Sequence, residues 1–257
     1  MIRGEFPQVQ VITNAENLGF AKACNIGVLA SKGDIILFLN SDVEFMASNP
    51  FEKVEQFFAA HPEIGIVGAQ LIFPDGVPQA PGGKFISIWQ VFKNQVLFLD
   101  SPLFHKLRHK IQTLKNSDYY EIDYVSGACF FVKRAVINEV GLLDESFFMY
   151  GEDMEYCYRA KQKDWRSAVL PDIEVVHLKS QSTKKNLENA LYHGISNNCF
   201  LVEKFYGKPY AFAAHSIYAV GLFLRFLIAF VRKREKPLPY LRLFFKNIQL
   251  QLKLLTS

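Results

Sequence analysis

Cysteine is scarce. There are four in 257 residues, Cys24, Cys129, Cys157 and Cys199, all far apart and without CxxC or other metal-ligand spacing. That leaves no motif for a zinc module, and scattered reduced thiols in an intracellular protein are the expectation. Cys129 and Cys157 lie in apolar runs and read as small core residues. Excess charge is scarce too. The formal net charge is +4 and the pI about 8.7, too mild a balance to call for nucleic acid as a partner. The opening MIRGEFPQVQVITN has no apolar stretch of signal-peptide length. GxGxxG, GKS/T, GxSxG and HExxH are all missing. Their absence removes motif-based readings as a dinucleotide-binding protein, a P-loop enzyme, a nucleophile-elbow hydrolase or a zinc protease.

What the chain does have is apolar residues, half of the total, enough for one sizeable domain with or without a small appendage. VQVIT (9–13) reads as a strand, and the stretch from about Gly19 to Ser31 as a helix stopped by Gly33. DIILFLNSD contains a continuous apolar run, as expected of a strand buried on both faces. In SNPFEKVEQFFAAHPE, Asn49 suits an N-cap, Pro50 suits the first helical position, and Phe51, Val54, Phe57 and Phe58 line one face. IGIVGAQLIF follows as a strand closed by a PDG turn at 74–76. This alternation predicts an α/β fold around a mostly parallel sheet. Residues 80–120 are less regular and read as an insertion or a segment over a site. VSGACFFVKR (125–134) reads as a strand leading into a short helix to about Val140. Residues 152–165 read as a helix with a Glu155–Arg159 pair. SAVLP and IEVVH read as two short strands, and the chain from Lys184 onward as mainly helical.

Three stretches suggest chemistry. Open α/β sheets place their sites at the carboxyl ends of strands, and Asn40, Ser41 and Asp42 stand at such an end. A carboxylate there suits a hard divalent cation carrying a diphosphate; the same residues equally suit an ordinary turn. In FFMYGEDME (147–155), aromatics run straight into acids. Desolvation would raise the pKa of Asp153 toward general-base values, while Glu152 and Asp153 also suit the first turn of a helix. His177 ends IEVVH and is either a metal-ligating imidazole or a hydrogen-bonded strand end. After it, LKSQSTKK either brings Lys179, Ser180, Ser182 and Thr183 to phosphate oxygens or is a solvated connector.

Taken in order, these pieces resemble the family 2 glycosyltransferases, and among them the bacterial rhamnosyltransferase-type members that build cell-surface polysaccharide. The matching stretches are NAENLGFAKACNIGVLASKGDIILFLNSDV (14–43), PDG (74–76), VSGACFFVKRAVINEVGLLDESFFMYGEDMEYCYRAKQKDWR (125–166) and VVHLKSQST (175–183), over about 170 residues. The resemblance implies a GT-A (Rossmann-like) α/β fold with flanking helices, here followed by a C-terminal helical extension. It also implies an inverting enzyme that moves a sugar from a nucleotide-sugar donor (dTDP-, UDP- or GDP-linked) to a lipid-linked or polysaccharide acceptor, with Mg²⁺ or Mn²⁺ as cofactor. Asn40-Ser41-Asp42 falls on the family's metal and diphosphate position with Asn in place of the first Asp, so Asp42 is the expected metal ligand, joined by His177. Asn17, Asn25, Asn40 and Ser41 are expected on the donor, Asp144, Glu145, Tyr150 and Glu152 on the acceptor, and Asp153 is the expected general base.

Members of the family usually begin with a further strand–helix–strand unit that builds much of the nucleotide-base pocket, and here Met1 falls just before VQVIT. The expectation is a domain incomplete at its N-terminus; the alternative is a non-catalytic remnant or a module that binds glycan or membrane. A nucleotidyltransferase would need a Gly-rich phosphate loop near the start, and none is present.

Residues 210–231 are long enough to cross a bilayer, but His215 and Arg225 interrupt the run. Either this helix lies in the plane of the lipid headgroups or it packs on the domain itself. The expected organisation is a glycosyltransferase domain over 1–206 and apolar, basic helices over 207–257. These would hold a cytoplasmic protein at the inner face of the cell membrane.

Overall fold

The computed structural model describes residues 2–46, 49–97, 118–178, 187–232 and 236–256. Residues 98–117 of the irregular 80–120 stretch and the candidate phosphate contacts Lys179, Ser180, Ser182 and Thr183 lie outside the described residues. The elements run α1 (Ile2–Glu5), α2 (Phe20–Ala30), β1 (Ile35–Leu39), β2 (Val43–Phe45), α3 (Pro50–Ala60), β3 (Ile64–Ile72), β4 (Gly82–Gly83) and α4 (Ile88–Gln95). Then come β5 (Tyr120–Ile122), β6 (Tyr124–Val125), β7 (Cys129–Lys133), α5 (Arg134–Val140), α6 (Glu152–Lys161), β8 (Arg166–His177), α7 (Leu187–Tyr206), α8 (Lys208–Arg232) and α9 (Leu238–Thr256).

The main sheet is ordered β1-β7-β3-β8-β2, with β5 also pairing β8. β3 and β8 pair in parallel. β7 pairs antiparallel with both β1 and β3, so β1, β3 and β8 all run in one direction and carry most of the sheet. Both faces are buried, and the continuous apolar runs split with a period of two. Ile36, Phe38, Ile66, Phe130 and Val132 face a core shared with Val28 of α2, Val136 of α5 and Tyr156 of α6. Val67, Ala69, Cys129, Phe131 and Val175 face Val54 and Phe58 of α3. The N-terminus of α3 forms as its sequence predicts: Asn49 accepts from the Glu52 N–H, and Pro50 opens the helix.

Three local readings change. VQVIT is not a strand, and α1 precedes it; among the described residues it finds no ladder partner, and Val9 and Ile12 stay exposed. SAVLP and IEVVH form one strand, β8. Its register against β3 jumps from Ala69↔Leu170 to Gln70↔Glu174, a bulge around Pro171. β5 covers the first half of the outer edge and β2 the second, so the residue without an N–H falls where no ladder bond is needed. The strand in VSGACFFVKR is inserted antiparallel, which its two-sided apolar pattern alone does not distinguish from parallel.

A third core joins Ile86, Val91 and Phe147 to Cys199, Leu201 and Val202 of α7, Tyr218 and Leu222 of α8 and Leu243 of α9. This core runs across residue 206. The four cysteines are free, with Cys129, Cys157 and Cys199 buried.

Candidate active site

The peptide Gly127–Ala128 joins the two acidic stretches. The Asn40 N–H donates to the Ala128 carbonyl at 3.0 Å, and the Gly127 N–H donates to Asp153 Oδ2 at 2.8 Å. The end of β1 and the start of α6 therefore meet on one rim of the sheet. Asn40, Ser41 and Asp42 form the turn into β2. The Asp42 carbonyl accepts from the Leu178 N–H at 3.0 Å, and Val43 pairs with His177. The ladder thus brings Asp42 Oδ1 to 3.5 Å from His177 Nε2.

Gln79 fixes the imidazole. Its amide nitrogen donates to the carbonyls of His177 (2.7 Å) and Ile72 (3.0 Å), so its oxygen is the atom that meets His177 Nδ1 at 3.2 Å. Nδ1 then carries a proton, and Nε2 is the nitrogen that faces Asp42. A carboxylate beside an imidazole oriented through its far nitrogen suits a divalent cation. Among the described residues, no third His, Cys, Asp or Glu joins them.

Asp153 sits in the first turn of α6. Tyr150 and Gly151 precede it with φ of 71° and 101°, a reversal that residues with side chains rarely make. Asn197 of α7 holds that reversal by donating to the carbonyls of Met149 and Tyr150, each at 2.7 Å. Asp153 Oδ1 also accepts from the Met154 N–H at 2.8 Å. Burial raises the Asp153 pKa, and the N–H groups of Gly127 and Met154 oppose the rise without cancelling it. The result is a carboxylate with proton affinity above the usual range, the property a general base needs. Phe148, Met149 and Tyr150 stand exposed beside it, while Phe147 points into the third core.

Several expected contacts lie elsewhere. Glu152 is buried, and among the described residues its Oε2 has no hydrogen-bond partner, so it is interior and not an open acceptor contact. Burial, and then the charge of Asp153, push its pKa up to about 8. Asp144 is tied to Lys204 of α7 and to Ser146. Burial raises its pKa, but these partners outweigh it and hold the carboxyl at about 2. Asn25 is a buried clamp: its amide nitrogen donates to Leu143 O and Glu145 Oε1, and its oxygen accepts from the Leu143 N–H. That use leaves Asn25 structural and ties one oxygen of Glu145 inward. Asn17 accepts from the Gly19 N–H, shaping the turn in which Gly19 takes φ 79° and lets Phe20 N–H reach Phe148 O at 3.0 Å. Ser41 and Tyr150 are exposed. Nothing in the sequence marks Gln79, Asn197 or Lys204 as a site residue. Only Gly127 carried a signal, standing inside VSGA next to a buried strand.

The sequence profile described as "Glycosyl transferase family 2" matches residues 2–141. The chain is similar to the N-acetylglucosaminyl-diphospho-decaprenol L-rhamnosyltransferase of Mycobacterium tuberculosis, 25% identical over 218 residues, 79% of this chain and 69% of that protein. It is similar to the dTDP-rhamnosyl transferase RfbF of Shigella flexneri, 26% identical over 176 residues, 67% of this chain and 53% of that one. Among solved structures, a mannosyltransferase of Pyrobaculum calidifontis in complex with GDP-Man and Mn²⁺ superposes with a TM-score of 0.52 at 13% identity, covering 97% of this chain and 65% of that one. GalNAc-T7 with UDP, GalNAc and Mn²⁺ superposes with a TM-score of 0.51 at 18% identity, covering 75% and 38%. These neighbours carry the GT-A fold.

Proposed function

Since the chain belongs to glycosyl transferase family 2, we propose that it transfers a sugar, with inversion, from a nucleotide-sugar donor to a glycan or lipid-linked acceptor of the cell surface. The observation that carries this reading is the single rim on which Gly127–Ala128 joins Asp153 to the Asn40–Asp42 turn. Asp153 takes the proton of the acceptor hydroxyl. The acceptor oxygen bonds to the anomeric carbon as the bond to the nucleoside diphosphate breaks on the opposite side. Exposed Phe148 and Tyr150 offer rings to the C–H face of a sugar. Asp42 and His177 would hold a divalent ion, Mg²⁺ or Mn²⁺, which when bound offsets charge on the departing diphosphate. Asn40 and Ser41 border that position.

The rhamnosyl activities named for two relatives support a deoxysugar donor linked to dTDP, with UDP- and GDP-linked donors as the other candidates. A lipid-linked acceptor fits a protein working from the cytoplasm at the inner membrane face. A thermal-shift titration with dTDP, UDP and GDP, each with and without Mn²⁺, tests the reading. At ~100 times Kd, the matching nucleotide adds about 2.7 kcal/mol, and the gain disappears without the metal. A folded sample that responds to none of the three refutes the reading and leaves a glycan- or membrane-binding module.

A further inference from the structure

We propose that α8 and α9 form one apolar, basic face that docks in the plane of an anionic lipid bilayer, without α8 crossing it. This deepens the peripheral-membrane part of the function above and rests on it. Val220, Phe223, Leu227 and Phe230 are exposed on α8 at spacings of three and four, one stripe of a helix. Leu238, Phe245 and Leu252 are exposed on α9 at spacings of seven, a second stripe. The stripes are continuous through ring contacts. Phe245 meets Phe244 at 5.3 Å, Phe244 meets Phe223 at 6.1 Å, and Phe226 meets both Phe223 and Phe230 at 6.2 Å. An apolar surface joined in this way across two helices marks an interaction site.

Charge selects the occupant. Residues 207–257 hold nine Lys or Arg and one acid, Glu235. The net charge of this segment is thus +8 in a chain of +4, and the preceding 206 residues are net negative. Arg232, Lys236, Arg242, Lys246 and Lys253 are exposed on these two helices and between them. Of these, Arg242 and Lys246 share the one carboxylate of Glu188. Apolar side chains among cations with long stems match the boundary between acyl chains and anionic headgroups. A second copy of the chain would set +8 against +8, which disfavours self-pairing through this face.

The orientation follows from the other side of α8. Ala211, Ala214, Tyr218, Ala219, Leu222 and Ala229 are buried against the protein. Arg225 donates to the Asn94 and Gln95 carbonyls and to Gln95 Oε1. His215 and Asn247 exchange two bonds between α8 and α9. Insertion across a bilayer would break all of these; lying in the plane breaks none.

The test is flotation of the full chain with vesicles of pure phosphatidylcholine and of phosphatidylcholine with phosphatidylglycerol, together with Phe245→Glu/Leu252→Glu. The wild type is expected to float with the anionic vesicles, to be released by high salt or alkaline carbonate, and to bind neutral vesicles at least about tenfold more weakly. The double variant is expected to lose at least about tenfold in vesicle affinity while keeping its melting temperature and its nucleotide response. Three results overturn the proposal. They are equal flotation of variant and wild type, resistance to carbonate extraction, and no flotation with a concentration-dependent dimer that the double variant abolishes. Any of these with the Mn²⁺-dependent nucleotide response intact removes the docking face and leaves sugar transfer standing.

Discussion

Glu152→Gln tests the reasoning about the acid pair at the start of α6. Glu152 is 6% exposed with one oxygen unpartnered among the described residues, and its pKa rises from 4.5 to about 8. Below pH 4.5 both folded and unfolded chains hold this proton, and the residue adds no pH dependence. Between 4.5 and about 8 the unfolded chain has released it and the folded chain has not, so stability falls by about 1.4 kcal/mol per pH unit. Above pH 8 both are ionised and the loss is complete, about 5 kcal/mol in all. Gln has the same shape and no charge, so the variant escapes this loss. Its amide N–H₂ adds an unpaired buried donor, which costs about 1–3 kcal/mol at every pH. The net expectation is a variant more stable than wild type by about 2–4 kcal/mol at pH 8, a melting temperature about 5–10 °C higher. At pH 5 the order reverses or the gap closes. Differential scanning fluorimetry from pH 4.5 to 8.5 on both proteins reads this directly. Parallel melting curves across that range would refute the idea that Glu152 is held as a neutral acid.

Asp153→Asn is expected to lower kcat by about 10²–10⁴ with nucleotide affinity unchanged; full activity would remove Asp153 as the base. Gln79→Leu leaves Nδ1 of His177 without its acceptor and is expected to weaken Mn²⁺ dependence by about 10–100-fold, read as the metal concentration giving half-maximal activity. Gly19→Ala would place a Cβ 2.5 Å from Phe148 O at φ 79°. It should cost more than about 1 kcal/mol in chemical denaturation. Burial pushes the thiols of Cys129, Cys157 and Cys199 up to about 12, so at neutral pH these three should label slowly with a thiol reagent in the native protein and quickly in the denatured one, read by peptide mapping.

What the sequence makes legible is local. The Asn49–Pro50 start of α3, the PDG turn and the Glu155–Arg159 pair depend on neighbours within four residues, and all three are present. The apolar runs of β1 and β3 announce burial on two faces. The direction of β7 is not legible, because a run buried on both sides reads the same either way. The bulge at Pro171 is invisible for a related reason: it depends on where β5 and β2 end along the edge of β8. Within the candidate site, the family resemblance points to Asp42, His177 and Asp153 but not to how each is held. Gln79 lies 98 residues from His177 and Gly127 lies 26 from Asp153, and no periodicity reports such pairs. Asn25 and Glu152 show the converse. Polar residues beside a motif read as ligand contacts, and their burial is decided by packing between α2, the 143–145 segment and α6.

Asn197 holds the reversal before Asp153 from a helix more than forty residues downstream, and Lys204 on the same helix holds Asp144. The other face of that helix is buried by α8 and α9. Stripping the last two helices would therefore leave Asp153 in place in the sequence and unaligned in space. The same holds for a chimera that exchanges C-terminal segments between relatives to retarget them to another surface. Its seam has to fall before Leu187, so that the helix that sets the turn before Asp153 travels with its own companions.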